Sequence, residues 1–284
     1  MGWKPGKVYK KHMKTIAVLL TVFNRKETTL RCLDNLFKQE IPQGYSLDVF
    51  LTNDGCTDGT PEAVREGFPQ VNVIEGNGNL FWNRGMWTAW NAAAKTKEYD
   101  FYFWLNDDTF LYKGAVSKLL ESSQNHENKA IIVGACQDTA TRSKITYGGY
   151  DKQGLVIPSG CDAEVLCING NIVLVPKYVF KILGNLDYYY THSKGDFDYS
   201  IRARRAGVKM YQVGVPLGAC DLHPRLDKWC DPQIPFRERW KMLHKPNGMP
   251  PKEIFHLEKQ TSIIKALFHF VTVYTRCFIP SLWN

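Results

Sequence analysis

Nine residues near the N-terminus, Thr15–Phe23 (TIAVLLTVF), form a near-continuous β-rich apolar run. A strand with one wet face alternates polar and apolar residues, whereas an unbroken run is buried on both faces, as in a parallel sheet covered by helices. The chain beyond this run keeps to that pattern. Asn24 can cap a helix in which Leu30, Leu33, Leu36 and Phe37 recur at helical spacing, until Pro42 and Gly44 break it. Leu47–Thr52 reads as a second strand ending in Asn53-Asp54-Gly55, and Thr60-Pro61-Glu62 opens a helix with proline in its first turn. Val71–Glu75 is a third strand, Gly76–Arg84 a loop, Met86–Lys95 a helix and Tyr99–Leu105 a fourth strand. Strands alternating with helices at these intervals predict right-handed βαβ crossovers and a nucleotide-binding α/β sheet over the first 110 residues or so.

Ligands of such a sheet sit beyond the carboxyl ends of its strands. Three polar clusters fall there: Asn24, Asn53-Asp54, and Asn106-Asp107-Asp108 directly after the aromatic run Phe101–Leu105. Carboxylates in that position are hard oxygen ligands suited to Mg²⁺ or Mn²⁺ and to the diphosphate such a metal carries. The last triplet reads equally as a strand ending in an Asn/Asp turn. Convergence of three clusters on one sheet edge favours the site.

Beyond residue 110 the pattern is mixed. Gly114–Ser122 is a helix, Ala130–Ala135 a strand, Thr146–Val156 a Gly-punctuated hairpin and Ile172–Val175 a strand stopped by Pro176. A helix near Tyr178–Leu183, another over Asp198–Ala206 closed by Gly207, and a strand-like Met210–Val215 complete it. No linker interrupts the chain, so one domain is expected over 15–225, between a basic tail (1–14) and a basic helical region (226–284).

The net charge of +8 is carried by those ends. Residues 1–14 hold five lysines and no acid, residues 225–284 hold ten Lys/Arg against five Asp/Glu, and the 210 residues between sum to −2. That suggests an anionic surface met by the tails rather than nucleic acid, whose binders more often carry a basic patch on the folded domain. Eight cysteines without a C-x-x-C pair argue against a zinc ribbon or a disulfide scaffold and fit a reducing cytosol. The apolar run after the basic N-terminus is too short, and lacks the small-residue cleavage site, for a signal peptide. No stretch offers the roughly twenty apolar residues of a spanning helix.

Four motifs in order carry a resemblance: TVFNR (Thr21–Arg25), NDGCTDGT (Asn53–Thr60), WLNDDT (Trp104–Thr109) and GDFDYSIRARRAG (Gly195–Gly207). Over roughly residues 15–225 the chain resembles family 2 of the inverting glycosyltransferases, which have the GT-A fold. GNGNLFWNRGM further resembles rhamnosyltransferase-like members that use dTDP- or UDP-sugars for bacterial surface polysaccharides.

The resemblance implies roles. Asp108 matches the metal-binding end of the family's D-x-D, while Asn106 stands where that motif usually begins with Asp and Asp107 lies between them. His223, where some members supply a further ligand, is either that ligand or a structural histidine. The nucleotide falls to Thr21, Phe23, Arg25, Asn53, Asp54, Arg84, Asn106 and Asp107, with a side-chain oxygen of Asn53 or Asp54 accepting the pyrimidine N3–H. Arg84 either pairs with the diphosphate or is a solvated loop arginine. Asp196 matches the catalytic carboxylate, the single base an inverting transfer needs, and Asp198 orients the acceptor or caps a helix.

The expected protein is a metal-dependent (Mn²⁺ or Mg²⁺) transferase. It moves a sugar from a dTDP- or UDP-donor to a hydroxyl of a growing, lipid-linked glycan at the inner face of the membrane. Ile254–Ile279 reads as an amphipathic helix with basic interruptions, for a membrane surface, the domain's own core or a homodimer contact. The rivals are a catalytically impaired nucleotide- or glycan-binding relative, motivated by Asn106 and Asn53, and a sugar-phosphate nucleotidyltransferase, whose Gly-rich phosphate loop is missing after the first strand.

Overall fold

The computed structural model describes residues 13–222 and 227–282; the basic stretch up to residue 12, His223 and Trp283 lie outside them. The first apolar run is strand β1 (Lys14–Val22), in which Ile16 to Leu20 expose no surface. Burying each of the larger side chains, Ile16, Val18, Leu19 and Leu20, stabilises the fold by about 1.5–3 kcal/mol. The βαβ units come as expected: α1 (Lys26–Phe37), β2 (Tyr45–Asn53), α2 (Thr60–Gly67), β3 (Val71–Glu75), α3 (Phe81–Thr96) and β4 (Phe101–Leu105). β1 pairs in parallel with β2 and with β4, and β2 in parallel with β3. Leu20 is in register with Leu51 and Leu19 with Trp104, so β1 and β2 finish level and β4 ends two residues earlier on the same side. The strand order reverses at β1, with β2 and β3 to one side and β4 to the other, which opens a crevice beyond those ends.

The second half is β5 (Phe110–Leu111), α4 (Ala115–Asn125), β6 (Ile131–Gln137), β7 (Ile145–Tyr147), β8 (Gly149–Tyr150), β9 (Ala163–Glu164) and β10 (Cys167–Ile168). It continues with β11 (Ile172–Pro176), α5 (Lys177–Leu183), α6 (Gly195–Arg205) and β12 (Met210–Ala219). β11 lies antiparallel between β4 and β6, and the main path runs β3-β2-β1-β4-β11-β6-β12-β5. Helices cover both faces. Leu33, Val64 and Leu119 pack on one; on the other, Trp90, Trp104 and Tyr199 form an aromatic cluster with ring centroids 5.2–5.7 Å apart.

Four local expectations are corrected. Asn24 does not cap α1: it sits at φ 50° and accepts from the Thr57 N–H at 2.7 Å, while the Lys26 N–H is met by Asp58 at 3.0 Å. Helix α3 begins at Phe81, inside the stretch expected as loop, because the Asp54 carboxylate supplies its N-terminal acceptors from a distant strand. α6 begins at Gly195, not Asp198, with Lys194 in the left-handed conformation at its N-cap, so Asp196 and Asp198 both lie inside its first turn. The C-terminal region is α7 (Phe236–Leu243), α8 (Pro251–Glu258) and α9 (Ile263–Phe278), and the amphipathic stretch is thus two helices. They part at Gln260, whose side chain donates to Asp198 at 2.6 Å, and Ser262 then caps α9 by accepting from the Lys265 N–H. α9 buries Ala266, Val273 and Cys277, the last two against Trp229 and Leu243. Its opposite face, including Ile264, Leu267, Phe268, Val271 and Phe278, is exposed. Among the described residues no helix is long and apolar enough to cross a membrane.

Candidate active site

The polar triplet emerges from β4 into the crevice, and each member has a different environment. Asp107 is buried; its carboxylate accepts from Arg25 at 3.2 Å and from the Thr29 hydroxyl at 3.3 Å. Burial pushes it up to about 7, with Arg25 opposing the rise and neighbouring Asp108 adding to it. Arg25 reaches Asp108 as well, at 2.7 Å, so one guanidinium bridges the two carboxylates. Cys220, whose thiol is held protonated by burial and by Asp108, donates to the other Asp108 oxygen at 3.6 Å. Asn106 accepts the indole N–H of Trp82 at 2.7 Å. Its amide oxygen is therefore engaged, a neutral acceptor where a carboxylate would add a second charge.

Asp196 is brought to the same place by the two residues before β11. The Gly170 N–H donates to one Asp196 oxygen at 3.2 Å, and the adjoining Asn171 carbonyl accepts the Asn106 N–H at 3.2 Å. Trp82 closes this link, because its ring fills the space a side chain at position 170 would need. The other Asp196 oxygen accepts from the Phe197 N–H at 2.8 Å. Burial raises Asp196 to about 6, against the pull of those N–H groups and of Lys194. A half-buried carboxylate of that affinity is ionised at neutral pH and still basic enough to take a proton.

Other expected residues have different employment. Asp54 is buried and accepts main-chain N–H groups from Gly78, Leu80 and Phe81 at 2.8–3.1 Å, which fixes the loop between β3 and α3. Asn53, also buried, donates to Glu75 at 2.6 Å and accepts from the Cys56 N–H at 2.9 Å. Both therefore help to shape the strand ends. Arg84 donates to the carbonyls of Tyr188 and Tyr189 at 3.0 and 3.2 Å and lies over the Tyr188 ring. Thr21 packs on Gly85, where any side chain would collide with it, and Phe23 stands exposed at the rim. Asp198 is buried between Arg202 at 2.7 Å and Gln260 at 2.6 Å, a tie between α6 and the C-terminal helices rather than a cap. Trp82, Gly170 and Thr29 were missed as site residues: their partners are distant in sequence, and no spacing rule announces them.

The chain holds a carboxylate pair, a bridging cation and a separate raised carboxylate at the switch point of an α/β sheet. Residues 17–147 match the model of glycosyl transferase family 2. That stretch, and not the whole chain, is similar to this family. The match includes the triplet and ends before Asp196. A solved structure of GalNAc-T7 with UDP, GalNAc and Mn2+ superposes with a TM-score of 0.55 at 13% identity, over 72% of this chain and 43% of that one. The likeness is one of fold, GT-A, and the chain spans less than half the length of that protein. No curated protein sequence matches. A divalent ion would need hard oxygen ligands. Asp108 offers hard oxygens at a strand end, in a place where a guanidinium already stands as a cation. Among the described residues, however, no three His, Cys, Asp or Glu side chains converge on a metal position.

Proposed function

We propose that the protein is an inverting glycosyltransferase that moves a sugar from a UDP- or dTDP-donor to a hydroxyl of a growing, lipid-linked glycan. The observation that carries this reading is the bridge through Gly170 and Asn171, which sets a raised carboxylate, Asp196, beside the triplet of β4. In the reaction the acceptor oxygen attacks the anomeric carbon and Asp196 takes the hydroxyl proton. The bond from that carbon to the diphosphate breaks on the opposite side, and the nucleoside diphosphate leaves with the electron pair. Arg25, fixed by Asp107 and Asp108, lies where it can offer its remaining N–H groups to the diphosphate. Asp108, with His223 from outside the described residues, would hold Mn²⁺ or Mg²⁺. When bound, that ion supplies Lewis-acid neutralisation of the leaving diphosphate.

The exposed apolar face of α9 supports docking on an anionic membrane, at the cytoplasmic side where a lipid-linked acceptor would be met. Ile264 and Phe268 are 77% and 65% exposed, with Lys259 and Lys265 close in the chain and Arg237 and Lys241 lining an adjoining apolar pocket. The test is donor turnover by wild type and Asp196→Ala over a panel of UDP- and dTDP-sugars, with Mn²⁺ and with EDTA. Turnover of a donor, abolished by the substitution, is expected. Unchanged turnover in Asp196→Ala removes Asp196 as the base, and wild type that neither binds nor turns over any pyrimidine donor removes the reading.

A further inference from the structure

A second cleft, of about 610 Å³, lies between the first turn of α3, the Tyr188–Thr191 segment and helices α7, α8 and α9. Its aromatic wall is Trp240, Tyr189, Tyr274 and His244; Arg84, Lys252 and Glu253 are its charged groups. The aromatic wall is already assembled, since Trp240 packs on His244 and Tyr274 at centroid distances of 4.4 and 5.5 Å, and Tyr189 stacks on His256 at 4.0 Å. Glu253 is 9% exposed. One of its oxygens accepts from the Thr191 N–H and hydroxyl at 3.1 and 2.8 Å; the other has no hydrogen-bond partner. Burial raises the Glu253 carboxyl, and Arg84 opposes the rise. A buried acceptor left unsatisfied costs about 1–3 kcal/mol, which a bound donor would offset.

We propose that this cleft is a carbohydrate subsite, taking a ring of the acceptor glycan other than the one that reacts at Asp196. The inference rests on the glycosyltransferase reading. A sugar ring offers C–H faces to aromatic walls and hydroxyl donors to a carboxylate, and this cleft presents both. An acyl chain would leave the second Glu253 oxygen buried without a partner, and a phosphate, though matched by Arg84 and Lys252, would be set against that carboxylate. The cleft and the catalytic site share a frame. The Thr191 carbonyl accepts the N–H groups of Asn83 and Arg84, its N–H and hydroxyl hold Glu253, and Trp82, one residue before Asn83, donates to Asn106. A glycan seated against Trp240 therefore lies across the first turn of α3 from the reacting centre.

Saturation-transfer NMR on the full chain tests this with the methyl glycosides of glucose, galactose, mannose, N-acetylglucosamine and rhamnose, with octyl β-glucoside, and with UDP or dTDP in the same tube. Ring-proton signals from at least one glycoside are expected. Their apparent Kd should rise about tenfold in Trp240→Ala and in Glu253→Gln, the loss of one good contact, while nucleotide signals stay unchanged. Glu253→Gln keeps shape and the Thr191 bonds, so it carries the test if Trp240→Ala melts early. The proposal falls if no glycoside gives a signal, if signals persist in both variants, or if only the octyl chain saturates. Loss of the nucleotide signal alone counts against the donor-site reading and leaves the cleft standing.

Discussion

The indole N–H of Trp82 donates to the side-chain oxygen of Asn106 at 2.7 Å, tying the first turn of α3 to the end of β4. The bond explains how a neutral residue is used at the head of the triplet: it fixes the loop rather than adding charge. Trp82→Phe keeps the ring against Gly170 and removes only the donor. We expect a loss of about 1 kcal/mol in urea unfolding, and kcat falling more than the donor KM rises, because the triplet's position and not its chemistry is disturbed.

Asp196 carries a stability cost that follows from its function. Its carboxyl is raised to about 6 in the folded chain from the ordinary 3.8, so the folded state binds the proton more tightly than the unfolded one. Stability from this group is thus lost as pH rises from about 4 to 6 and stays lost above. Asp196→Asn should abolish transfer and yet stabilise the protein at pH 7.5 by on the order of 2 kcal/mol, a gain that fades by about pH 4. Denaturant melts at the two pH values read it directly.

The same group sets the pH profile. A base must be ionised, so kcat/KM should fall as pH drops through the region near 6 where Asp196 takes up its proton. Asp107, pushed up to about 7, titrates close by. Asp107→Asn separates the two: the acid limb near 6 should survive in it. A limb that disappears would assign the titration to Asp107.

Arg25 holds two neighbouring carboxylates together. Arg25→Ala leaves them facing one another, and Asp107 should then rise further. The guanidinium is partly solvated, so we expect a destabilisation of only about 1 kcal/mol at pH 8, smaller at pH 5 where Asp107 is already neutral. Donor affinity, measured by calorimetry with UDP, should fall with it.

The exposed face of α9 gives a prediction independent of chemistry. Ile264→Asp with Phe268→Asp touches no buried contact, so melting should shift within about 0.5 kcal/mol. Sedimentation with phosphatidylserine vesicles should drop by at least about tenfold. Vesicle binding that survives both charges would return α9 to a protein partner.

The run Thr15–Phe23 and the alternating elements after it made the parallel half legible, since unbroken burial and βαβ spacing are local properties of the chain. The placing of polar clusters at strand carboxyl ends was legible for the same reason: β1 and β2 finish level because their pairing is in register. The triplet and Asp196 could be named from motif order. Partner choice could not. Asp54, read with Asn53 as one of two candidates for the base, holds the start of α3, because main-chain N–H groups more than twenty residues away converge on it. Arg84, open in the sequence between a diphosphate ligand and a loop arginine, donates to the carbonyls of Tyr188 and Tyr189. The division is one of range. Strand, helix and strand-end positions are set by periodicity within some ten residues, and the sequence by itself determined them. Which oxygen is spent inside the fold and which faces the crevice depends on contacts between residues twenty to a hundred apart, such as Trp82 with Asn106 and Gly170 with Asp196, and only the tertiary structure decided those.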